Sequence, residues 1–290
     1  MSGSKTHLSI VLPAKDEAQS LAALLPKLRG LYPEAEIVVV DDGSKDGTAD
    51  VTRQAGALVV RHPYSLGNGA AVKSGARAAH GQVLVFLDAD GQHPPEDIAR
   101  LLDLYDKGYD MVVGARTGAT QATFGRHAAN TVYNLLASWM VGNEIADLTS
   151  GFRVVHSDLF KEYLHLLPNR FSYPTTITMA FFRAGYRVGY VPIEAGKRQG
   201  QSHIRPLRDG TRFLMIIFKV GTLYSPLKIF LPISFSFFMT SACYYLYTYL
   251  TEHRFTNMSA LLFITSVLIF LIGLVSEQIT NLLFANTSHR

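Results

Sequence analysis

Two aspartates one residue apart, Asp88 and Asp90, follow an apolar run at residues 83–87 of this 290-residue chain. The run is short and aliphatic, which is typical of a buried parallel strand. Because side chains alternate along a strand, both carboxylates are expected to point the same way at its C-terminal end. Two neighbouring carboxylates repel each other unless a cation lies between them. The pair therefore predicts a cation-binding site.

The elements that must position this pair are indicated by a regular alternation of strand-like and helix-like segments. Strand-like apolar runs begin near Leu8, Glu36, Ala57, Gln82 and Asp110. Such alternation predicts an α/β fold with a mostly parallel, Rossmann-like sheet and helices on both faces. Further helices are predicted in the less regular segment that follows, at 126–140, 158–166 and 173–184.

Polar clusters follow four of the predicted strands. They are Pro13-Ala14-Lys15-Asp16-Glu17, Asp41-Asp42-Gly43-Ser44, Asp88-Ala89-Asp90 and Gly114-Ala115-Arg116. Ligands of open α/β sheets bind beyond the C-terminal ends of the strands. One such cluster could arise by chance, but four at successive strand ends predict a single site.

The segment GNGAAVKSG contains Gly67 and Gly69, and Asp88 lies about 20 residues further on, which half-fits a dinucleotide-binding fingerprint. Val72 occupies the third glycine position, however, and the segment follows the third predicted strand instead of the first. The glycines are therefore expected to form a tight loop whose backbone approaches a phosphate, with Lys73 nearby. No Walker A, zinc-binding or Ser–His–Asp signature occurs in the sequence.

The charge distribution changes towards the C-terminus. A net charge of +4 could indicate nucleic-acid binding, but Asp, Glu, Lys and Arg are absent from 229–251 and from 255–276, which argues against a nucleic-acid partner. Each run is long enough to span a membrane as a helix, which takes about 20 residues. A buried hairpin of a soluble protein is the alternative, but the polar TEHRFTN between the runs favours two transmembrane helices. The single cysteine, Cys243, excludes an intramolecular disulfide.

Basic residues predict the orientation in the membrane. Seven lysines and arginines between 197 and 228 precede the first run, whereas the loop between the runs carries only one, Arg254. This asymmetry places the N-terminal domain on the cytosolic face. Because the polar start at residues 1–7 leads directly into a strand, no signal peptide is expected. We therefore expect an integral membrane protein of a bacterial or archaeal plasma membrane or, in a eukaryote, of the endoplasmic reticulum.

Between the domain and the first apolar run, segment 206–225 combines apolar residues such as Phe213 and Ile217 with basic residues such as Arg212. This pattern predicts an amphipathic helix lying in the membrane interface. A helix packed on the domain is the alternative. The chain is thus divided into an α/β domain at 1–205, an interface helix at 206–225 and a two-helix anchor at 226–290.

Five segments, in order and spacing, resemble one family of proteins. They are VLPAKDE, VVVDDGSKDGT, FLDADGQHPPE, VVGAR and DLTSGFR. They resemble the GT-A glycosyltransferases that make polyprenyl-phosphate sugars, among them the dolichyl-phosphate mannose synthases and their bacterial and archaeal counterparts. The resemblance covers residues 8–205, and the two apolar runs are similar to the membrane anchor of some members.

The resemblance implies an activity. A hexose would pass from a nucleotide diphosphate sugar, either GDP-mannose or a UDP-hexose or UDP-N-acetylhexosamine, to a dolichyl or undecaprenyl phosphate. A transferase of the same fold with a glycan or protein acceptor, and a non-catalytic scaffold, are the alternatives. The segment NRFSYPTTITM is expected to help line the sugar pocket, although it does not identify the sugar. A homo-oligomer is left open.

The resemblance also implies a metal. It makes Asp90 and Gln92 the direct ligands of Mg²⁺ or Mn²⁺, and places Asp88 near the ribose or the metal. Carboxylate and amide oxygens are the hard ligands that these cations prefer. Asp90 and Asp88 thereby take the catalytic role, because the metal offsets charge on the leaving diphosphate. A helix cap before PPEDIARLL is the alternative for Asp90.

The same resemblance implies which residues bind the nucleoside. Pro13, Ala14 and Glu17 correspond to the wall of the nucleoside pocket, and Asp42 corresponds to the aspartate that binds the base or the ribose. A helix cap is the alternative role for Glu17. Together with Asp88 and Lys73, these residues form the expected nucleotide-binding set.

The acceptor phosphate needs cations more than it needs a general base. A phosphate monoester has a second pKa of about 6, so it is already a nucleophilic anion near neutral pH. Arginine matches phosphate oxygens with its planar fork. By resemblance, Arg116, Arg126 and Arg198 would hold this phosphate, and Ser150 could donate a hydrogen bond to it. Direct displacement with inversion and no covalent enzyme intermediate is expected.

Two basic residues have open roles. Arg153 could bind the phosphate or could pair internally with Asp147. His203 stands where the family usually has a lysine, in the segment KRQGQSHI. Because histidine is only partly protonated near neutrality, donor affinity is expected to depend on pH in a way that relatives lack.

Overall fold

The structure is a computed structural model of the chain. It describes residues 7–116, 124–170, 173–194, 218 and 221–285, with the backbone alone at 124–130 and 284–285. The chain divides into two compact units: Met1–Trp139 with Asn143–Ile204, and Met140–Gly142 with Arg205–Arg290.

The first unit contains a mixed sheet. Its strands are β1 (Leu8–Ala14), β2 (Glu36–Asp41), β3 (Leu58–Arg61), β4 (Val83–Phe86), β5 (Met111–Arg116), β6 (Arg153–His156) and β7 (Val188–Ile193). They lie in the order β3-β2-β1-β4-β6-β5-β7. All pairs are parallel except those of β6, which runs antiparallel to both β4 and β5.

The predicted α/β fold with a mostly parallel sheet is confirmed, and β1 to β5 coincide with the predicted strands. The sequence did not predict β6 and β7. The short strand β6 is wedged between β4 and β5, where its buried residues Val154 and Val155 complete the sheet. A four-residue run of this kind gives little periodic signal, because half-buried alternation needs more residues to become visible.

Helices connect the strands. They are α1 (Ala18–Leu31), α2 (Thr48–Gln54), α3 (Asn68–Ala78), α4 (Asp97–Tyr105), α5 (Phe124–Val141), α6 (Ser157–Glu162) and α7 (Tyr173–Arg183). The helices predicted at 126–140 and 173–184 are confirmed as α5 and α7. The helix predicted at 158–166 is shorter, because the chain turns after Glu162.

The core lies on both faces of the sheet. On one face, the stripe Leu21, Leu24, Leu25 and Leu28 of α1 is buried, at the i, i+3, i+4, i+7 spacing of an amphipathic helix. On the other face, α3 lies so close to the sheet that a Cβ on Gly75 would overlap a methyl group of Val11. Each fully buried aliphatic side chain contributes about 1.5–3 kcal/mol of transfer free energy. This packing fixes the strand ends that carry the polar clusters.

The strand order reverses at β1, which pairs with β2 on one side and with β4 on the other. Such a switch point opens a crevice beyond the C-terminal strand ends, because the connections leave in opposite directions. Here the crevice lies at Ala14 and Phe86, directly before Asp88.

The second unit contains two long helices, α8 (Pro226–Glu252) and α9 (Asn257–Ala285). Both are long and apolar enough to cross a membrane, and few of their residues are buried. They therefore remain candidate membrane spans, as the sequence predicts. Most of the predicted interface helix at 206–225 falls outside the described residues, and the helix stays a prediction.

Small polar residues line the interface between α8 and α9. Ser234, Ser241 and Thr248 are buried on α8 at intervals of seven residues, and Ser241 Oγ donates to the Ser259 carbonyl oxygen of α9 at 2.8 Å. Ser234 and Ser266 each donate a hydrogen bond of 2.9 Å to the backbone carbonyl oxygen of the other. Small residues allow close helix approach in lipid, and a seven-residue repeat favours a left-handed crossing.

Candidate active site

A cavity of about 610 Å³ opens beside the C-terminal end of β4. It lies in the first unit, and Ser65, Asp88, Thr149, Gly151, Arg170 and Tyr173 are among its lining residues. The cavity therefore joins the loop after β3, the first aspartate of the pair, the segment before β6 and the start of α7.

Burial alternates along the segment that follows β4. Leu87 and Ala89 are buried in the core, whereas Asp88 and Asp90 are half-buried. Gly91 turns the chain with a positive φ of 71°, which allows the Gln92 backbone N–H to donate to Asp90 Oδ1 at 3.1 Å. The alternation turns both carboxylates away from the core, as the strand pattern predicts.

Asp88 lies directly against Gly151. A Cβ at position 151 would stand 2.9 Å from Asp88 Oδ2, so a larger residue there would displace the carboxylate from this position. Gly151 belongs to the DLTSGFR segment, and this contact explains why glycine stands there.

The residues around Asp88 fit a divalent cation chemically. The carboxylates of Asp88 and Asp90 and the amide of Gln92 are hard oxygen donors. Within the described residues there is no group of three or more His, Cys, Asp or Glu side chains that could hold a metal. A cation here would therefore depend on one or two carboxylates together with substrate phosphates, which is the usual situation for Mg²⁺.

Asp42 organises the loop after β3. Its carboxylate accepts hydrogen bonds from Ser65 Oγ at 2.7 Å and from the backbone N–H groups of Leu66 and Gly67 at 2.8 and 2.9 Å, and it lies 2.7 Å from His62 Nδ1. Burial alone would raise the pKa of Asp42, but these hydrogen bonds outweigh it and lower the pKa. The structure thus gives Asp42 a role inside the protein, and nucleotide binding by Asp42 stays a prediction.

Asp41 carries contacts that the sequence did not reveal. It is fully buried, its Oδ1 accepts the Ser44 N–H at 2.8 Å, and its Oδ2 lies 3.2 Å from Arg61 Nε. Arg61 and Ser44 line a second cavity of about 860 Å³ together with Lys15 and Tyr64. Two adjacent aspartates look alike in sequence, and only strand alternation sends them to opposite faces of the sheet.

The expected nucleoside wall lies at the switch point. Pro13 and Ala14 end β1, where the Ala14 carbonyl accepts the Asp42 N–H at 2.9 Å. Glu17 is the N-cap residue of α1, and its carboxylate accepts a hydrogen bond from Ser20 Oγ at 2.9 Å. The Glu17 side chain makes no capping hydrogen bond to a backbone N–H of α1, so neither the helix-cap role nor contact with a nucleoside is tested, and both stay predictions.

Arg116 forms an ion pair with Asp147. Arg116 Nε lies 2.8 Å from Asp147 Oδ2, and an Arg116 terminal nitrogen lies 3.0 Å from Oδ1. Burial alone would lower the pKa of Arg116 and raise that of Asp147, but the pair outweighs burial and shifts both pKa values the other way. Phosphate binding by Arg116 stays a prediction, and its charge is already compensated.

The structure corrects one alternative for Arg153, because Asp147 pairs with Arg116 instead. Arg153 begins β6 and is 0% exposed. Its guanidinium donates to the carbonyl oxygens of Ser150 and Pro174 and to Thr178 Oγ1. A fully buried side chain has no surface with which to touch a phosphate, so direct phosphate binding is not supported.

The remaining expected phosphate-binding residues are placed only in part. Ser150 is buried, and its hydroxyl has no hydrogen-bond partner within the described residues. The side chain of Arg126 lies outside what the structure describes, as do the whole of Arg198 and His203. Their roles stay predictions.

The glycine loop packs against protein instead of leaving its backbone open. The N–H groups of Gly69 and Ala70 donate to the carbonyl oxygens of Arg170 and Asn169 at 3.2 and 2.8 Å. Lys73 Nζ donates to the Leu167 carbonyl oxygen at 3.0 Å and to the Asn169 side chain. Segment 167–170 thus packs against the N-terminal end of α3. Phosphate binding by Lys73 stays a prediction.

Arg170 is a candidate that sequence reasoning did not single out. It is exposed, lines the 610 Å³ cavity beside β4 and makes no ion pair with any side chain that the structure describes. The segment NRFSYPTTITM was expected to line a sugar pocket, and four of its residues, Arg170, Tyr173, Pro174 and Thr175, do line the cavity. The only feature of the sequence that could have indicated Arg170 is an arginine after a turn-forming Pro-Asn pair, and this pattern is too common to identify a site.

The fold and the paired aspartates define a glycosyltransferase of the GT-A class. Residues 9–164 match the family described as Glycosyl transferase family 2, and residues 225–282 match the GtrB C-terminal hairpin. The chain belongs to glycosyl transferase family 2. The resemblance found in the five segments is therefore confirmed.

Named relatives agree with this family. The dolichyl-phosphate hexose transferase of Haloferax volcanii is 30% identical over 215 residues, covering 73% of this chain and 93% of the relative. The polyprenol monophosphomannose synthase of Mycolicibacterium smegmatis is 28% identical, covering 66% and 77%. An undecaprenyl-phosphate 4-deoxy-4-formamido-L-arabinose transferase of Edwardsiella ictaluri is 32% identical, covering 57% of this chain and 54% of the relative. The chain spans about half the length of that last relative.

A solved structure supports the fold. Glucosyl-3-phosphoglycerate synthase from Mycobacterium tuberculosis, crystallised with Mn²⁺, uridine diphosphate and glucosyl-3-phosphoglycerate, has a TM-score of 0.58 and 22% identity to this chain. The similarity covers 74% of this chain and 78% of the synthase.

Proposed function

We propose that this glycosyltransferase transfers a hexose from a nucleotide diphosphate sugar to a polyprenyl phosphate and inverts the anomeric configuration. The observation that carries the proposal is the pair Asp88 and Asp90, which are half-buried after β4, with Asp88 lining the cavity. The names of the relatives support the acceptor class, since they include dolichyl-phosphate, undecaprenyl-phosphate and polyprenol enzymes. The donor would be GDP-mannose or a UDP-hexose or UDP-N-acetylhexosamine.

Asp90 and Gln92 would hold Mg²⁺ or Mn²⁺, with Asp88 beside them. A divalent cation bound there offsets the negative charge that develops on the leaving diphosphate. Gly151 leaves space for the Asp88 carboxylate, and the turn at Gly91 brings Gln92 back towards Asp90. The oxygen donors of these residues, of the kind such a cation prefers, support the proposal.

The acceptor needs orientation more than activation. Its phosphate carries close to two negative charges at neutral pH, so no side chain has to remove a proton from it. Arg170, together with Arg126 and Arg198, would hold that phosphate in line with the anomeric carbon. Direct displacement then gives inversion without a covalent enzyme intermediate.

The membrane would supply the acceptor. The apolar helices α8 and α9 support membrane association, and the seven basic residues between 197 and 228 support a cytosolic α/β domain. In this arrangement residues 1–205 form the catalytic domain, 206–225 an interface helix and 226–290 the anchor.

The test is turnover by the purified full chain in detergent, with polyprenyl phosphate, Mg²⁺ or Mn²⁺, and a panel of GDP- and UDP-sugars. Released nucleotide and glycosylated lipid are both measured. We expect turnover to need lipid phosphate and metal, and to fall by at least about 100-fold in Asp90→Ala, because one group that stabilises developing charge contributes about 2.7–4 kcal/mol. Asp103→Ala, at an exposed site on α4, is the matched control.

Three results would contradict the proposal in whole or in part. Nucleotide release that does not need lipid phosphate would indicate a glycan, protein or water acceptor. No release with any donor, by a protein that is folded, would indicate a non-catalytic scaffold. Retention of anomeric configuration in the product would reject the inverting mechanism while leaving the substrates intact.

A further inference from the structure

Arg153 is a fully buried cation whose hydrogen-bond partners are all neutral groups. One terminal nitrogen donates to the Pro174 carbonyl at 3.3 Å and to Thr178 Oγ1 at 3.2 Å, and it lies 3.7 Å from Met111 Sδ. The other terminal nitrogen donates to the Ser150 carbonyl. In the part of the chain that the structure describes, no carboxylate forms an ion pair with Arg153. Its Nε is buried and lacks a hydrogen-bond partner there.

A buried cation without a counter-charge is costly, because taking a charge out of water is repaid only by pairing or by several aligned dipoles. Burial lowers the pKa of Arg153, but a guanidinium stays charged in proteins. The carbonyl oxygens and the face of the Tyr173 ring, 5.8 Å from the guanidinium carbon, offset part of this cost. Asp147 and Asp88 favour the charged form from a distance, but neither forms an ion pair with the guanidinium.

The residues that contact Arg153 form part of the wall of the 610 Å³ cavity beside β4, or adjoin that wall. Ser150, which accepts from Arg153, precedes Gly151, which lines the cavity. Tyr173 and Pro174 contact Arg153 and also line the cavity. The guanidinium therefore joins the segment before β6 to the first turn of α7.

The charges around the cavity indicate what the buried Arg153 guanidinium could interact with. The charged side chains among the lining residues are Asp88 and Arg170, which nearly cancel. Arg116 adds little net charge, because Asp147 pairs with it. Arg153 is then a positive charge near this wall that no ion pair within the described residues neutralises, and an anion in the cavity would complement it.

We propose that Arg153 is a positioning residue of the transfer reaction, which fixes the cavity wall at Ser150–Gly151 and Tyr173–Pro174 and favours phosphate groups in the cavity through its unpaired charge. This inference rests on the proposed function and deepens it. The ligand chemistry is a phosphate, which belongs either to the donor diphosphate or to the lipid acceptor. Arg153 does not touch the ligand and acts through the wall and through its field.

The test neutralises the charge without removing the arginine. Thr178→Glu places a carboxylate where Thr178 Oγ1 now lies 3.2 Å from Arg153, whereas Thr178→Gln adds the same bulk without charge. We measure the affinity for uridine and guanosine diphosphate with Mn²⁺ by calorimetry, the KM for polyprenyl phosphate, and the thermal midpoint, all on the full chain in detergent. A unit charge about 10 Å away in a medium of effective dielectric constant near 20 changes affinity by about tenfold.

We expect Thr178→Glu to bind its phosphate ligand about tenfold more weakly than Thr178→Gln does, with a thermal midpoint at least as high. A change in nucleoside diphosphate affinity assigns the effect to the donor, and a change in KM for the lipid phosphate assigns it to the acceptor. Arg153→Lys should retain more of the affinity than Arg153→Met, because it keeps the charge.

Equal affinities and KM values in the Thr178→Glu and Thr178→Gln variants would overturn the inference and leave Arg153 a purely structural residue. This comparison holds even where Arg153→Met fails to fold. Failure of the proposed function is a separate result, seen as a wild-type protein that does not turn over. The inference about Arg153 fails only if Thr178→Glu and Thr178→Gln are both active and have the same nucleoside diphosphate affinity and the same KM for lipid phosphate.

Discussion

Arg116 and Asp147 face each other in a two-point ion pair, with Nε–Oδ2 at 2.8 Å and a terminal nitrogen 3.0 Å from Oδ1. The same carboxylate accepts the backbone N–H groups of Thr149 and Ser150 at 3.0 and 3.1 Å. One buried aspartate thus connects the end of β5 to the turn that leads to Gly151, which lines the 610 Å³ cavity beside β4.

We expect Asp147→Asn to destabilise the first unit by about 2 kcal/mol. The change leaves Arg116 without its counter-charge, which costs about 3–5 kcal/mol when both groups are fully buried and less here because the Arg116 side chain is 30% exposed. The thermal midpoint should fall by about 5 °C. The exposed substitution Asp103→Asn should leave it unchanged.

The pair also predicts a pH dependence. Because the pKa of Asp147 is lowered in the folded protein, its contribution is complete above its unfolded value of 3.8 and is lost as the pH falls through the folded pKa. The gap in midpoint between wild type and Asp147→Asn should therefore be largest near neutrality and should close in acid. A gap that persists at the lowest pH at which the protein folds would contradict this account.

Much of the fold could be predicted from the sequence because local pattern and global fold agree there. Strands β1 to β5 are aliphatic runs, four of them followed by a polar cluster, and that alone placed a site at one edge of the sheet. The two apolar helices were visible for the same reason, since their composition is uniform over more than twenty residues.

The partners of individual side chains could not be predicted, because they depend on register. Arg116 and Arg153 both belong to segments that resemble the family, and either could have paired with Asp147. The pairing of β5 with β6 places Val113 opposite Arg153. Arg153 therefore lies inside the sheet, while Arg116 ends its strand at the surface near Asp147. Neither position follows from spacing along the chain.

Gly69→Ala should destabilise the protein by about 3 kcal/mol, because the added Cβ would overlap the Pro168 carbonyl oxygen, which is backbone and cannot rotate away. Gly30→Ala is the matched control. Gly30 lies in α1 with open space around it, so alanine there should stabilise the protein by about 0.5–1 kcal/mol. Chemical denaturation measures both changes. A neutral Gly69→Ala variant would show that segment 167–170 does not pack on α3.

Glu36, at the opposite end of β2 from the cavity, predicts a separate acid-sensitive contribution. Its carboxylate accepts hydrogen bonds from Ser9 and from the backbone N–H of His80, and lies 2.8 Å from His80 Nδ1. Burial alone would raise the pKa of Glu36, but these contacts outweigh it and lower the pKa. The contribution is therefore present above the unfolded value of 4.5 and is lost as the pH falls through the folded pKa.

Glu36→Gln should accordingly lower stability by about 1 kcal/mol at pH 7, the usual value for a partly exposed hydrogen-bonded group, and by less at pH 4. Glu34→Gln, at an exposed site two residues away, should have no effect at either pH. Thermal midpoints at the two pH values measure the difference. An equal loss at both would mean that packing, not ionisation, accounts for the effect.

Arg170 gives the sharpest prediction about substrate binding, because its backbone is held while its charge is available. Its carbonyl oxygen accepts the Gly69 N–H, and a Cβ on Gly67 would stand 3.0 Å from its Cγ, so the start of the side chain is packed against the glycine loop. Its guanidinium has no ion-pair partner among the described side chains. We expect Arg170→Gln to raise the KM for one phosphate substrate by about tenfold, since a hydrogen bond to a charged group contributes about 1.5–3 kcal/mol.

The fold should be unaffected, because the substitution keeps the backbone contacts with Gly69. The thermal midpoint should therefore stay at the wild-type value while KM changes. Arg170→Lys should restore part of the affinity as a point charge, but not all of it, since lysine lacks the planar fork that matches phosphate oxygens. Lys27→Gln, at an exposed site on α1 away from the cavity lining, controls for a general change in net charge. If Arg170→Gln and Lys27→Gln give the same KM values for donor and acceptor, the exposed arginine at the cavity makes no contact with either substrate.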